Sequence, residues 1–356
     1  MNYKTILITG GAGFIGSNLA ISFKEKYPKL KVIALDNLKR RGSEMNLPCL
    51  RENKIDFIHG DIRNPEDLAL EEKIDLLIEC SAEPSVMAGF GKNPKYIINT
   101  NLAGTVNCLE LARLNKAAVI FLSTSRVYPY RALNNIKTVE QETRFDWKVE
   151  QEIQGWSRQG IDINFSVDGP KTLYGATKLA SELILQEYID TFGIKGVINR
   201  CGVIAGPGQF GKVDQGVFTY WMLAHYFKKE LKYIGFGGKG KQVRDLMHVD
   251  DLFKLIDLQA SSLNKINGRV YNVGGGRKTS LSLVELTQLC QKICASRINI
   301  GRDSNTRPGD VMIYLTDNKK VMQDLAWQPT KPPTEILSDI YRWIRANEKR
   351  IKQSLI

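Results

Sequence analysis

Cysteine and histidine are both scarce in this chain, and neither is grouped. The 356 residues include six cysteines, with no Cys-x-x-Cys pair, and three histidines. A disulfide framework needs paired cysteines, and a zinc site needs clustered cysteine and histidine ligands. The sequence therefore supports neither a disulfide scaffold nor a metal site. Cys290 and Cys294 share a helix face among leucines, which favours buried packing.

Long hydrophobic runs are also missing. No apolar stretch approaches the roughly 20 residues that a membrane-spanning helix needs. Residues 1–4 lead into a short strand rather than into a long apolar segment with a cleavage site. We therefore expect no signal peptide, no membrane contact and a cytoplasmic location.

Acidic residues are in the minority. The chain has 50 lysines and arginines against 38 acidic residues, which gives a net charge of +12. Much of the excess lies in lysine-rich stretches such as 227–229 and 349–352, and such stretches are typical of a solvated surface. No stripe of aromatic and basic residues indicates nucleic-acid binding. The positive field would favour an anionic substrate.

What the sequence does contain is a glycine-rich turn near its start. The apolar run 5–8 leads into Gly10, Gly13 and Gly16, and a helical stretch follows. Such a turn lets backbone N–H groups and a helix N-terminus face a pyrophosphate, which side chains would block. The turn therefore predicts a dinucleotide site. A second pattern of the same form, at 206–211, contains a proline and is predicted to be a loop.

The second apolar strand ends in Asp36, twenty residues after Gly16. A carboxylate there can bind the ribose hydroxyls of adenosine, and it repels a 2′-phosphate. The basic residues 39–41 would attract such a phosphate, but the carboxylate is better placed, so the sequence favours NAD. Asp61 follows a third strand, where it is either a contact to adenine or a plain loop acid.

Strand-like apolar runs alternate with helical patterns up to about residue 200. The runs are Ile6–Ile8, Val32–Leu35, Phe57–Ile58, Leu76–Ile78, Val119–Leu122, Ile163–Phe165 and Val197–Arg200. This alternation predicts an α/β fold with a Rossmann-like, doubly wound parallel sheet. Glycine-rich loops and more helices follow, which indicates a smaller C-terminal lobe. We expect an NAD-binding domain at 1–200 plus about 242–273, and a substrate-binding lobe at about 201–241 plus 274–356.

Hydroxyl and phenol groups follow the predicted strands. The hydroxyl run 123–125, with Thr124 at its centre, ends a strand and should project into the cofactor crevice. Tyr174 and Lys178 are four residues apart at the start of a predicted helix, so they share one face. A nearby cation stabilises a phenolate, and we expect Lys178 to lower the pKa of Tyr174 from about 10. A second Tyr-x-x-x-Lys pair, at 27–31, lies in a proline-containing loop.

Taken in this order, these elements resemble the extended short-chain dehydrogenase/reductase superfamily, whose members oxidise or epimerise nucleotide sugars with a Ser/Thr-Tyr-Lys set. The resemblance covers nearly the whole chain. It implies catalytic roles for Thr124, Tyr174 and Lys178. It implies that NAD contacts Tyr174, Lys178, Gly10, Gly13, Phe14, Ile15, Asp36, Asn37, Arg40, Asp61, Ile62, Ala82 and Asn99.

Further matching positions concern the substrate. Arg244 lies in the segment GKGKQVRDLMHVDD, and Arg307 begins the segment 307–310. The resemblance implies that both arginines hold a diphosphate, since guanidinium forks suit that task; a surface ion pair is the alternative for each. The candidate substrate-binding residues are Thr124, Ser125, Arg126, Gln209, Gln215, Arg244, Arg307 and Asp310. Arg126 and Glu83 are either pocket groups or members of local ion pairs.

Within the superfamily the chain is most similar to the CDP-paratose 2-epimerase family, also called the CDP-tyvelose 2-epimerase family. The similarity lies in a long insertion before Tyr174, in GPGQFGKVDQGVFTYW at 206–221, and in GKQVRD at 240–245. The segments 80–84 and 200–202 depart from the family pattern, and Ser125 replaces a more usual asparagine. Because these positions line the substrate crevice, they leave the identity of the sugar open.

The resemblance implies a nucleotide-sugar epimerase that inverts carbon-2 of a CDP-hexose with tightly bound NAD. The conversions considered are CDP-paratose to CDP-tyvelose and CDP-glucose to CDP-mannose. It also implies a homodimer or homotetramer. A UDP-sugar 4-epimerase is the alternative within the enzyme class, and a non-catalytic dinucleotide-binding protein is the alternative outside it.

Overall fold

The structure of the chain is a computed structural model that describes residues 3–211 and 215–355. The helices in this part are α1 (Phe14–Lys26), α2 (Leu47–Glu52), α3 (Lys95–Ile98), α4 (Gly104–Asn115), α5 (Tyr130–Asn135), α6 (Leu173–Phe192), α7 (Val217–Tyr226), α8 (Val249–Ile266), α9 (Leu283–Cys294), α10 (Lys319–Leu325), α11 (Pro333–Ala346) and α12 (Glu348–Leu355). The strands are β1 (Thr5–Thr9), β2 (Lys31–Asp36), β3 (Asp56–His59), β4 (Leu76–Glu79), β5 (Ala118–Thr124), β6 (Thr138–Glu140), β7 (Phe145–Trp147), β8 (Trp156–Ser157), β9 (Gly160–Ile161), β10 (Gly196–Cys201), β11 (Val203–Ala205), β12 (Leu231–Ile234), β13 (Val243–His248), β14 (Val270–Val273), β15 (Ser280–Ser282), β16 (Ile300–Asp303) and β17 (Ile313–Tyr314).

Seven parallel strands form the central sheet, in the order β14-β10-β5-β4-β1-β2-β3. The middle strands are apolar throughout, because both faces of a parallel sheet are covered. Helices α1 and α8 supply Phe23 and Leu252 to the core on one face, and α4 and α6 supply Leu109 and Leu185 on the other. The predicted Rossmann-like, doubly wound α/β fold is confirmed.

The strand order reverses between β1 and β4, since the chain runs outward from β1 through β2 to β3 and then returns to β4 on the other side. Ligands of open α/β sheets bind outside the carboxyl ends of the strands at such a reversal. The glycine-rich turn, the end of β4 and the end of β5 all lie at this edge. The topology therefore places the sequence-predicted residues around one crevice.

One predicted strand is wrong. Ile163–Phe165 forms a turn, while the preceding segment forms the short hairpin β8-β9. Phe165 is buried against Tyr128, with ring centroids 5.7 Å apart. Its apolar character therefore serves side-chain packing rather than strand pairing. The seventh strand of the sheet is β14, which was not among the apolar runs identified in the sequence.

A second layer lies beyond the central sheet. It contains a sheet of β11, β13 and β15, with β17 pairing to β13. A separate apolar cluster joins α7, α9 and α11 through Trp221, Leu286 and Ile340. In the segment 242–273, β13 belongs to this second sheet, whereas α8 packs on the central sheet and β14 is the edge strand of that sheet.

None of the helices within the described ranges has the length and apolar content needed to cross a bilayer. The six cysteines are free thiols, and Cys290 is buried in the same apolar cluster that Cys294 borders. Among the described residues, no group of three or more His, Cys, Asp or Glu side chains is arranged to hold a metal ion.

Candidate active site

A crevice of about 950 Å³ opens at the carboxyl ends of the central strands. Its walls come from the glycine-rich turn, the segments that follow β2 and β4, the end of β5, and residues 201–204, 209–210 and 215–216. The sequence-predicted residues that line it are Gly10, Gly13, Phe14, Ile15, Asp36, Asn37, Arg40, Ile62, Ala82, Thr124, Ser125, Arg126, Tyr174, Gln209 and Gln215. The fold thus gathers candidate cofactor and substrate residues into one cavity.

The glycine-rich turn fits a pyrophosphate. Gly10 has a φ of +64°, and a Cβ atom at Gly16 would lie 2.2 Å from the carbonyl oxygen of Gly10. Helix α1 begins after Gly13 with no side-chain cap and no acidic residue in its first turn. Its first N–H groups are therefore available to an anion in the crevice.

Asp36 stands beside this turn at the end of β2. Its carboxylate accepts hydrogen bonds from the backbone N–H of Ala12 at 3.1 Å and of Leu38 at 2.8 Å. Burial raises the pKa of Asp36, and these backbone donors partly offset the effect. The carboxylate lines the crevice where an adenosine ribose would reach it.

Asp61 lies behind the crevice wall and is engaged by its neighbours. Arg63 donates hydrogen bonds to its carboxylate from Nε at 2.9 Å and from Nη2 at 2.5 Å. The side-chain amide of Asn37 donates a further one at 2.9 Å. The hydrogen bonds from Arg63 lower the pKa of Asp61 to about 2. The crevice itself is lined by Asn37, whose amide is oriented by this carboxylate.

Tyr174 and Thr124 meet where α6 begins beside the end of β5. Thr172 caps α6 by accepting a hydrogen bond from the N–H of Gly175. Burial raises the pKa of Tyr174 to about 12, while a hydrogen bond with Thr124 and the charge of Arg126 act to lower it. Burial outweighs these two groups, so the net pKa of Tyr174 is raised, whereas the sequence led us to expect a lowered value.

Lys178 lies one turn further along α6, in contact with a carboxylate and an aromatic ring. Its side chain is 2% exposed, and its Nζ lies 3.4 Å from the Oε2 of Glu79. The ammonium group also lies over the ring of Phe121, 3.9 Å from the centroid. A carboxylate at this distance opposes the field of the cation at Tyr174. Among the charges that act on Tyr174, Arg126 lowers its pKa and Glu79 raises it.

Three loops are joined across the crevice. Arg40 donates to the side chain of Gln215 and to the carbonyl oxygen of Phe210, the latter at 2.6 Å. Gln215 donates in turn to Glu83 at 3.4 Å. The side-chain oxygen of Gln209 accepts a hydrogen bond from the hydroxyl of Thr219 on α7 at 2.6 Å. Residues 212–214 of the segment that resembles the epimerase family lie outside the described residues.

The two arginines expected to bind a diphosphate stand away from the crevice lining. Arg244 donates to Asp310 at 2.8 Å and to the carbonyl oxygen of Val311 at 2.6 Å. Burial lowers the pKa of Arg244 to about 10. Arg307, three residues before Asp310, has a half-buried side chain. A diphosphate that uses Arg244 has to compete with Asp310.

Several predicted site residues are thus not part of the crevice wall. They are Asp61, Asn99, Lys178, Arg244, Arg307 and Asp310. Asn99 is exposed, whereas the adjacent Thr100 lines the crevice. Asn101 is buried and fixes the backbone of Glu83, accepting from its N–H at 2.7 Å and donating to its carbonyl oxygen at 3.1 Å.

The sequence argument missed Glu79 and Phe121, which surround Lys178. A signal was present for Glu79, because an acidic residue directly follows the apolar run 76–78. A charge at the end of a fully buried strand requires a partner. Phe121 gave no such signal, since it reads as an ordinary core residue of β5.

Known proteins are similar to this chain in sequence. The model of the NAD dependent epimerase/dehydratase family matches residues 6–274. The chain is 31% identical over 346 residues to the CDP-paratose 2-epimerase of Salmonella typhi, covering 95% of this chain and 98% of that protein. It is 27% identical over 361 residues to the human dTDP-D-glucose 4,6-dehydratase, covering 97% and 91%.

The fold has close structural counterparts. The UDP-glucuronic acid 4-epimerase of Bacillus cereus, crystallised with UDP-glucuronic acid and NAD, superposes with a TM-score of 0.79 at 25% identity, covering 96% of this chain and 99% of that one. Its cofactor is the dinucleotide that the uncapped start of α1 and Asp36 fit here. Together with the match over residues 6–274, this places the chain in the NAD dependent epimerase/dehydratase family of extended short-chain dehydrogenases/reductases, as an NAD-dependent enzyme.

Proposed function

We propose that this enzyme inverts carbon-2 of a CDP-hexose, converting CDP-paratose to CDP-tyvelose and, as a second substrate, CDP-glucose to CDP-mannose. The observation that carries the proposal is the 31% identity to the Salmonella typhi CDP-paratose 2-epimerase along almost the whole of both chains. A crevice that contains Thr124 and Tyr174 beside the dinucleotide site supports it.

In this proposal Tyr174 removes the proton from the hydroxyl on carbon-2, and Thr124 donates a hydrogen bond to the same oxygen. NAD, when bound, supplies a hydride acceptor that gives the hydride back. Gly10, Gly13 and the start of α1 would hold its pyrophosphate, and Asp36 would bind its ribose. Lys178 lies one helical turn from Tyr174, and its ammonium is paired with Glu79. The sugar turns before reduction, so the configuration inverts with no net redox change.

The residues after Thr124 argue against a dehydratase. Elimination of water from the sugar needs an acid and a base beside the keto intermediate, which an Asp-Glu pair would supply. This chain has Ser125 and Arg126 there, and both line the crevice. A hydroxyl and a guanidinium group offer hydrogen bonds to a nucleotide sugar, but neither serves as the carboxylate base of an elimination.

The diphosphate is assigned to the C-terminal lobe, at about 201–241 plus 274–356. Arg307 and Arg244 are the proposed ligands. Arg126 links this lobe to the catalytic strand, because its Nη1 donates to the carbonyl oxygen of Gly309 at 3.1 Å. Binding of the diphosphate near Arg244 and Arg307 is therefore expected to bring the sugar toward Thr124.

The assay uses the purified enzyme in deuterated water with CDP-paratose, CDP-glucose and UDP-glucose, and follows the epimers by NMR. Inversion at carbon-2 without deuterium uptake supports the proposal, because the hydrogen then returns as the hydride that was removed. Tyr174→Phe is expected to abolish turnover while NAD still binds. Near-normal turnover of this variant would remove Tyr174 from the role of base.

Inversion at carbon-4 alone would instead identify a UDP-sugar 4-epimerase, an activity named for the structurally similar Bacillus cereus enzyme. Incorporation of deuterium with loss of water would identify a dehydratase. Lack of turnover on all three substrates, with NAD bound, would favour a non-catalytic dinucleotide-binding protein.

We also propose a homodimer or homotetramer. Helices α4 and α6 pack together and leave three large apolar side chains, Leu114, Leu183 and Phe192, between 51% and 71% exposed. Leu183 and Phe192 are about two and a half turns apart and so lie on opposite sides of α6, and we propose that a second copy of the chain covers the side that carries Leu183. Light scattering of the wild type and of Leu183→Lys tests the assignment, and an unchanged mass would refute it.

A further inference from the structure

A short segment of the C-terminal lobe lies between the turn after β5 and the side chain of Arg244. We name this segment, residues 309–312, the spacer. Its Val311 is 2% exposed and belongs to the same apolar cluster as Val127, in the turn after β5, and Leu133, on α5. The centre of the spacer is therefore fixed in a core that the catalytic side of the crevice helps to form.

Two polar side chains from that side hold the backbone of the spacer. Asn134, on α5, donates to the carbonyl oxygen of Asp310 at 3.0 Å and accepts from the N–H of Met312 at 2.8 Å. Arg126 donates from Nη1 to the carbonyl oxygen of Gly309 at 3.1 Å. An amide that both donates and accepts fixes the register of a backbone segment, because a shift along the segment breaks both hydrogen bonds.

The first residue of the spacer contacts the helix that carries Tyr174. Gly309 has a φ of +74°, and a Cβ atom there would lie 2.3 Å from the Cγ2 of Thr172. Thr172 is the N-cap of α6, two residues before Tyr174. A side chain at position 309 would therefore displace the spacer from α6. The spacer thus contacts both of the elements that carry the proposed catalytic groups.

The other side of the spacer holds the end of the Arg244 side chain. β13 fixes the backbone of Arg244, but an arginine side chain is long and has many rotamers. Its Nη2 donates to the carboxylate of Asp310 at 2.8 Å and to the carbonyl oxygen of Val311 at 2.6 Å. The side chain remains 13% exposed, so part of it is accessible to a ligand. The spacer therefore decides where the positive charge of Arg244 lies.

The carbons of a hexose differ in their distance from the diphosphate of a nucleotide sugar. The diphosphate is attached to carbon-1, carbon-2 is bonded directly to carbon-1, and carbon-4 lies across the ring. A general base acts only on a hydroxyl group within hydrogen-bond reach, and a misplacement of about 1 Å can cost a hundredfold in rate. The distance from the bound diphosphate to Thr124 and Tyr174 therefore determines which carbon can react.

We propose that the spacer selects this carbon, because it holds the guanidinium group of Arg244 at a set distance from Thr124 and Tyr174. Asn134 is the positioning residue of the spacer: it is not part of the crevice wall and acts through the backbone of residues 310–312. The inference rests on the proposed function, because it takes Arg244 as a ligand of the diphosphate.

The test is Asn134→Ala, assayed with CDP-glucose, CDP-paratose and UDP-glucose, all of which carry hydroxyl groups on carbon-2 and carbon-4. The wild type is expected to invert a single carbon. In the variant we expect kcat to fall about ten- to a hundredfold and the epimer at the other carbon to appear in the NMR spectrum. CDP should bind with the wild-type affinity, since β13 still holds the backbone of Arg244. A single product from folded Asn134→Ala, whatever its kcat, would overturn the proposal.

Asn115→Ala is the matched control. Asn115 also holds backbone with one accepted and one donated hydrogen bond, from the N–H of Ile74 at 3.0 Å and to the carbonyl oxygen of Leu111 at 3.0 Å. It lies before the amino end of β4, at the edge of the sheet opposite the crevice. The variant should lose stability without forming a second product. A second product here too would show that general loosening relaxes the reaction, and would overturn the role of Asn134.

A second pair of variants keeps the test decisive if Asn134→Ala does not fold. Gly309→Ala places a methyl group against Thr172 and is expected to release the second product in the same way. Adding Thr172→Ser removes the Cγ2 atom but keeps the hydroxyl group that caps α6, so the double variant should return to a single product. The strain of an alanine at positive φ lowers the stability of both variants alike. Two products from the double variant would overturn the proposal.

The result separates this inference from the proposed function. Wild-type inversion at carbon-4 would refute the proposed function, and Asn134→Ala is then expected to release inversion at carbon-2. Calorimetric titration of Arg244→Met with CDP and UDP tests the shared premise without turnover. Wild-type affinity for both nucleotides would remove Arg244 from the diphosphate site and overturn the inference, even where the wild type inverts carbon-2.

Discussion

The carbonyl oxygen of Arg126 occupies the space where Gly175 would carry a side chain: a Cβ atom there would lie 2.0 Å from that oxygen. The absence of a side chain at Gly175 lets the turn after β5 pack directly against the first turn of α6. The same two elements carry Thr124 and Tyr174. Gly175, which takes no part in the chemistry, therefore helps to fix the distance between the side chains of Thr124 and Tyr174.

Gly175→Ala is expected to lower the free energy of unfolding by about 1–3 kcal/mol, because the new methyl group overlaps backbone that cannot rotate away. Turnover should fall as well, since Thr124 moves relative to Tyr174. Denaturant unfolding and kcat measure the two effects. Gly301→Ala is the control, because the nearest neighbour of its Cβ would be the flexible side chain of Lys232 at 3.2 Å, and the nearest backbone atom, the carbonyl oxygen of Leu231, would lie at 3.7 Å. Equal stability of the two variants would contradict the prediction.

Gly16→Ala is expected to weaken NAD binding at least about tenfold, which corresponds to about 1.4 kcal/mol. The methyl group would lie 2.2 Å from the carbonyl oxygen of Gly10, so the turn must open where the pyrophosphate is held. Calorimetric titration with NAD measures the change. Unaltered affinity in a folded Gly16→Ala protein would mean that NAD does not use this turn.

Asp61 should make stability depend on pH in the acid range. Its folded-state pKa of about 2 lies below the ordinary value of 3.8, so its contribution is complete above 3.8 and is lost as the pH falls through about 2. Asp61→Asn should therefore be less stable than the wild type at neutral pH, and the difference should close with acidification. Unfolding curves at several pH values measure it.

Asp56→Asn is the control for that series. Asp56 is 60% exposed and lies 3.8 Å from Lys31 on the neighbouring strand, so its charge is largely screened by solvent. A difference between wild type and Asp61→Asn that persists unchanged below pH 2 would show that the Arg63 contact does not cause it.

Arg244→Met is expected to lower the free energy of unfolding by about 1–3 kcal/mol, because Asp310 and the carbonyl oxygen of Val311 lose their donor. Adding Asp310→Asn should recover part of the loss, which thermal unfolding of the double variant measures. The exposed Arg302 provides the control variant, Arg302→Met. Full stability in Arg244→Met would show that the contact to Asp310 contributes nothing.

Local patterns were sufficient for the fold and for the cofactor. The order of apolar runs predicted the parallel sheet, and the turn at Gly10 with Asp36 predicted NAD, because strand formation and close backbone approach depend on residues near in sequence. The exception among the strands, 163–165, is instructive. Phe165 is apolar because it packs on Tyr128, and a short apolar run does not reveal whether its neighbours in space are strands or side chains.

The sequence by itself determined that a strand, a glycine turn, an acidic residue and a Tyr-x-x-x-Lys helix follow one another, which fixes the architecture and the kind of site. Only the tertiary structure decided which charges meet. Glu79 and Lys178 are 99 residues apart and pair because α6 packs on β5, the strand next to β4, whereas Arg244 turns toward Asp310. Electrostatic fields depend on distances in space, and those distances exist only after the chain has folded.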